Sequence, residues 1–136
     1  MFQPKFDAHL DPQVKAKWLT ALRSRKFKQG KGALLSVNRE LDGTYSNPQY
    51  CCLGVLAEVI GNVACFNMED AYLPNKEATV LFHCDITTAE KLQAHLAVRN
   101  DGGTDWDNQN PKGNVYKAPE HGLKFYQIAR WIERNL

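Results

Sequence analysis

The sequence predicts an α+β fold: a single domain over residues 1–136, with about four helices packed on a small, mostly antiparallel sheet. Four stretches carry apolar residues at helical spacing. The extended stretches between them are short and bounded by Gly, Asn and Pro. The regular strand-helix alternation of a doubly wound parallel sheet is missing. A length of 136 residues suits one domain, and 43% hydrophobic with 24% charged residues is ordinary for a folded chain.

The first helix opens at Asp11-Pro12, with Asp11 as the expected cap and Pro12 at the first helical position. Val14, Trp18 and Leu22 recur every four residues, with Ala21 beside them, as one inward stripe. Lys15, Lys17 and Arg25 lie off that stripe, and Gly30 and Gly32 mark a loop. Residues 33–37 and 49–51 read as the strands of a hairpin around Asp42-Gly43 and Asn47-Pro48.

Residues 52–60 are apolar on two sides and predict a buried helix, stopped by Gly61-Asn62. Val63–Phe66 and Thr79–His83 read as short strands. Thr87 and Glu90 form a capping box opening the next helix, with Ala89, Leu92 and Leu96 inward. Residues 102–122 form a long polar loop containing Trp106 and Tyr116. A last helix over residues 124–136 turns Phe125, Ile128, Ala129, Ile132 and Leu136 inward.

The net charge of +2 hides an asymmetry. Residues 1–32 hold eight Lys/Arg against two Asp, a net of +6; residues 33–136 hold nine against thirteen Asp/Glu, a net of −4. The positive charge gathers in Lys15, Lys17, Arg23, Arg25, Lys26, Lys28 and Lys31, a patch that attracts phosphates. Duplex nucleic acid is not the expected partner, because duplex binders carry a basic excess over the whole domain. No apolar run predicts a membrane span or a secretory signal, so the expected location is the cytoplasm, with Cys51, Cys52, Cys65 and Cys84 reduced.

None of these cysteines forms a Cys-x-x-Cys pair. In the loop from Asp101, the sixth and twelfth positions of a calcium loop fall on Trp106 and Lys112. No metal and no cofactor are expected. One enzymatic reading remains: Cys52, or Cys51, at a helix N-terminus as a nucleophile, with His83, His95, His9 or His121 as its base and no spacing rule to pick one. The competing reading packs both thiols in the core as small hydrophobes.

The other reading is a binding site. Gln29-Gly30-Lys31-Gly32 exposes backbone N–H groups beside Arg23, Lys26, Lys28 and Lys31, and so could cradle a phosphate. Phe27, interleaved with the basic residues, could stack on a base.

Three blocks then stand out together: Trp18-Leu19-Thr20-Ala21-Leu22-Arg23-Ser24 with Phe27-Lys28-Gln29; Tyr50-Cys51-Cys52-Leu53-Gly54-Val55-Leu56; and Asn100-Asp101 with Phe125-Tyr126-Gln127-Ile128-Ala129. This arrangement resembles a group of small uncharacterised proteins of tailed bacteriophages and prophages. In that group the Asn-Asp-x-Gly block runs almost directly into the Phe-x-x-Ile-Ala helix, whereas residues 103–123 interrupt the junction here. The resemblance implies a phage accessory protein in the host cytoplasm, and by analogy of class one that counters host defence.

The leading expectation is sequestration of a small anionic ligand, a nucleotide immune signal. Arg23, Lys28 and Lys31 would neutralise phosphate, Gln29 and Asn100 beside Asp101 would hydrogen-bond base or ribose, and Tyr50, Phe27 or Trp106 would stack. A protein–protein inhibitor of an acidic host factor is a further alternative, and a homodimer the expected assembly.

Overall fold

A computed structural model describes residues 5–61, 70–105 and 116–136. Among them lie five helices and two antiparallel strand pairs, an α+β architecture with one helix more than the sequence predicts. The expected strand at Val63–Phe66 and the middle of the polar loop, with Trp106, lie outside the described residues.

Helix α1 spans Pro12–Arg23 and buries Trp18, Ala21 and Leu22, the predicted stripe. Asp11 does not cap it: its Oδ1 is turned instead to His83 Nε2, 3.0 Å away. Strands β1 (Leu35–Arg39) and β2 (Tyr45–Tyr50) form the predicted hairpin, with Leu35 opposite Tyr50 and Arg39 opposite Tyr45. Between the pairs Ser36↔Gln49 and Asn38↔Ser46 the register shifts, where β2 carries Asn47-Pro48. Proline has no N–H to give a ladder, so it suits a bulge in an edge strand.

Helix α2 (Cys52–Ile60) is buried from Cys52 through Ala57 and ends at Gly61 with φ +75°. Gly54 sets how deeply it sits. A Cβ built there would fall 1.8 Å from the Leu34 carbonyl oxygen, so only glycine lets this helix approach that backbone.

Helix α3 (Asn75–Phe82) replaces the expected strand at Thr79–His83. Ala78 and Phe82, four residues apart, are the ones buried, while Val80 between them stays 70% exposed. That spacing is helical, and the apolar run at residues 80–82 hid it from sequence pattern alone. Helix α4 (Ile86–Asp101) starts earlier than expected: Asp85 caps it by accepting from Thr88 N at 2.7 Å, and Glu90 turns to Asn75 instead of closing a box.

Strands β3 (Gly103–Asp105) and β4 (Tyr116–Ala118) pair antiparallel within the stretch the sequence predicts as a polar loop. Helix α5 (Phe125–Asn135) packs on α1 and α4 with its predicted apolar face. Trp18 lies fully buried within this bundle and donates its indole N–H to Cys52 O at 2.9 Å. Burying a large apolar side chain contributes about 1.5–3 kcal/mol, so the residues around Trp18 carry much of the stability. The N-terminal segment is bound by two backbone bonds, His9 N to Phe82 O at 3.0 Å and Leu10 N to Leu136 O at 3.3 Å. Among the described residues no helix is long and apolar enough to cross a membrane.

Candidate functional site

The three sequence blocks meet at one side chain. Asn100, fully buried at the end of α4, accepts at Oδ1 from Gln29 Nε2 (3.1 Å) and from Cys52 N (3.2 Å). Its Nδ2 donates to Gly30 O (2.7 Å) and Asp101 Oδ1 (2.8 Å). Gln29 also donates to Leu123 O (2.7 Å) and accepts from Phe125 N (3.1 Å). All four hydrogen-bonding positions of Asn100 are thus filled from within the protein. The expectation that Gln29 and Asn100 contact a base or ribose is corrected: their amides join the post-α1 loop, α2, α4 and α5.

The same junction also holds Gly102, Gly122 and Leu123, on either side of the interrupting stretch. Gly102 N bonds Val98 O at 2.7 Å and Leu123 N bonds Arg99 O at 2.6 Å, so the excursion leaves and returns at the last turn of α4. Gly122, at φ +76°, seals it; a Cβ there would lie 2.1 Å from Asn100 O.

The cysteine reading is also corrected. Cys51 caps α2 by accepting from Gly54 N, and the fully buried Cys52 donates its Sγ proton to Leu96 O at 3.7 Å. Burial pushes both thiols up, Cys52 well above the ordinary cysteine range, which opposes the thiolate a nucleophile needs. His83 is engaged elsewhere: its ring stacks on His9 at 4.6 Å and bonds Asp11 at the surface. Both thiols pack as small buried groups, as the competing reading expects.

The basic residues divide. The Arg23 guanidinium pairs with Glu133 at 3.2 Å, holding that carboxyl below its usual range, and Lys28 Nζ donates to Asn47 Oδ1 at 2.9 Å. Lys31 is exposed. Lys17 and Lys26 instead flank a groove of about 520 Å³ whose apolar wall includes Ala16, Ala21, Phe27 and Val59. Tyr50 meets Phe27 edge-on, ring centroids 5.0 Å apart and planes at 90°. Of the expected binding residues, Phe27 lines this groove and Tyr50 supports it. Asp101 lines a separate cleft of about 420 Å³ with Tyr72, Ala94, Ala97 and Asp105. Lys17 is exposed on α1, as its place off the apolar stripe predicts; that a groove lies beside it follows only from the fold.

The fold also brings together three polar residues that sequence reading does not group. His95, Arg99 and Asp105 are at most 5% exposed. Arg99 Nε donates to His95 Nε2 at 2.6 Å, and His95 Nδ1 faces Asp105 Oδ2 at 2.9 Å. The guanidinium lies 4.3 Å from the Tyr116 ring centre and 4.8 Å from that of Trp131. Burial lowers Arg99 to about 10, opposed by Tyr116 and Asp105. His95 and Arg99 stand four apart on one helix face, a legible spacing; Asp105 stands in no periodic relation to them. Among the described residues no cluster of His, Cys, Asp or Glu is arranged to hold a metal ion.

No curated protein and no solved structure matches the chain. Residues 10–136 match one protein family, which takes in both the groove and the Asn100 junction. The chain belongs to that family, described as Domain of unknown function (DUF8296).

Proposed function

We propose that this protein binds and sequesters a small phosphate-bearing ligand, a nucleotide, in the groove beside the C-terminal half of α1. The observation that carries the reading is the pairing of Lys17 and Lys26 with an apolar wall and the Phe27 ring in one recess. A volume of about 520 Å³ falls within the range of small-molecule sites. The ammonium groups supply phosphate attraction without demanding bidentate geometry. Stacking on an aromatic ring contributes about 1–3 kcal/mol per base.

The setting rests on the resemblance of Tyr50–Leu56 and its companion blocks to phage and prophage proteins. In that setting the captured nucleotide is a signal of host defence, and removing it from solution is the whole activity. No nucleophile is required.

Titration calorimetry with a panel of cyclic and linear nucleotides tests this. The expected result is binding with Kd on the order of micromolar or tighter for at least one of them, weakened about tenfold or more in a Lys17→Glu, Lys26→Glu double variant. No micromolar binding across the panel, or binding untouched by the double variant, overturns it.

A further inference from the structure

Four separate pieces of chain close on the imidazole of His95. Asp105 of β3 meets Nδ1, and the ring of Tyr116 in β4 lies 4.7 Å away. Trp131 of α5 lies at 5.0 Å, and Phe6 of the N-terminal segment at 5.4 Å. Arg99, on the same helix, donates into Nε2. We propose that His95 is an acid-sensitive latch that holds residues 5–10 and the β3–β4 pair shut against α4 and α5.

The protonation state follows from donor and acceptor chemistry. Arginine has only N–H donors, so the Nε2 that receives its bond carries no proton. The single imidazole proton therefore sits on Nδ1 and is donated to Asp105. The ring is neutral when the latch is closed.

Adding a proton at Nε2 sets two N–H groups against each other across 2.6 Å. The Arg99 Nε–H must withdraw, but its guanidinium is clamped between Tyr116 and Trp131. Withdrawal disturbs both rings, and with them β4 and the Phe6 contact. Among the described residues, the titratable groups facing His95 are Arg99 from α4, Asp105 from β3 and the Tyr116 phenol from β4; Phe6 and Trp131 carry no charge. Burial favours the neutral ring, which keeps the latch shut near neutral pH.

Amide hydrogen exchange, corrected for its intrinsic pH dependence, tests the proposal on the intact protein between about pH 7.5 and about pH 5. The expected result is a loss of protection of about tenfold in residues 5–10, 103–105 and 116–118, while the β1–β2 hairpin keeps its own. In Arg99→Met, which removes the opposing N–H, the acid response of those segments shrinks to about twofold or less. Protection that is unchanged by acid in these segments, or that falls equally in β1–β2, or an acid response undiminished in Arg99→Met, overturns the proposal.

Discussion

The side chain of Asn100 receives the backbone N–H of Cys52 across 48 positions of sequence, at 3.2 Å in the buried centre of the molecule. This bond ties the N-terminus of α2 to the C-terminus of α4. The Gln29 and Gly30 bonds to the same amide bring in the loop after α1. The groove wall at Phe27 begins two residues from that anchor, so the junction positions the groove.

Replacing Asn100 by Ala leaves Cys52 N and Gly30 O buried without their partner. Each orphaned buried group costs about 1–3 kcal/mol, and a total loss of about 3 kcal/mol is expected. Urea denaturation of wild type and Asn100→Ala measures it. A loss below about 1 kcal/mol would show that the junction is not a structural hub.

Gly54→Ala drives a methyl into the Leu34 carbonyl, with 1.8 Å available before anything moves. Helix α2 has to back away from the Leu34 backbone, at a cost of about 3 kcal/mol or more. The check is the thermal midpoint together with the near-ultraviolet signal of Trp18, whose indole is bonded to Cys52 O. A variant as stable as wild type would contradict the close approach.

The buried thiols of Cys51 and Cys52 are expected to resist alkylation near neutral pH until the protein unfolds, because burial both covers them and disfavours the thiolate. Mass spectrometry after a timed iodoacetamide pulse, with and without denaturant, reads this directly. Rapid labelling of either one in the folded protein would revive the nucleophile reading.

How much of this was legible in the sequence depended on whether periodicity or pairing decided the matter. The stripes of α1 and α5 and the Gly61 stop of α2 were readable because a buried face repeats at helical spacing. Helix α3 was not, since its residues 79–82 read as extended and no side chain caps its start. Gln29 and Asn100 looked like ligand groups because an amide beside a glycine loop gives no sign of which way it turns. Lys17 is exposed as its helical phase predicts, but phase does not tell what lies beside an exposed side chain.

Acid should weaken the fold through His95. Burial, the larger cause, and Arg99 lower its pKa below the ordinary 6.5, while Asp105 opposes them. The unfolded chain therefore binds the proton more readily. The stabilisation is complete above the unfolded value and is lost as pH falls through the folded one. Urea midpoints over that range should decline with pH, and a Tyr116 ring packed on the imidazole makes the same titration visible by NMR. A flat profile would contradict a neutral buried His95.

A nucleotide bound by this protein should land in the groove beside α1. Heteronuclear NMR of the labelled protein, titrated with the tightest ligand of the panel, should move the amides of Lys17, Ala21, Lys26, Phe27 and Val59 together, leaving those of Ala94 and Ala97 in the acidic cleft in place. Unmoved spectra at saturating nucleotide, or shifts gathered around Asp101 and Tyr72 instead, would contradict it.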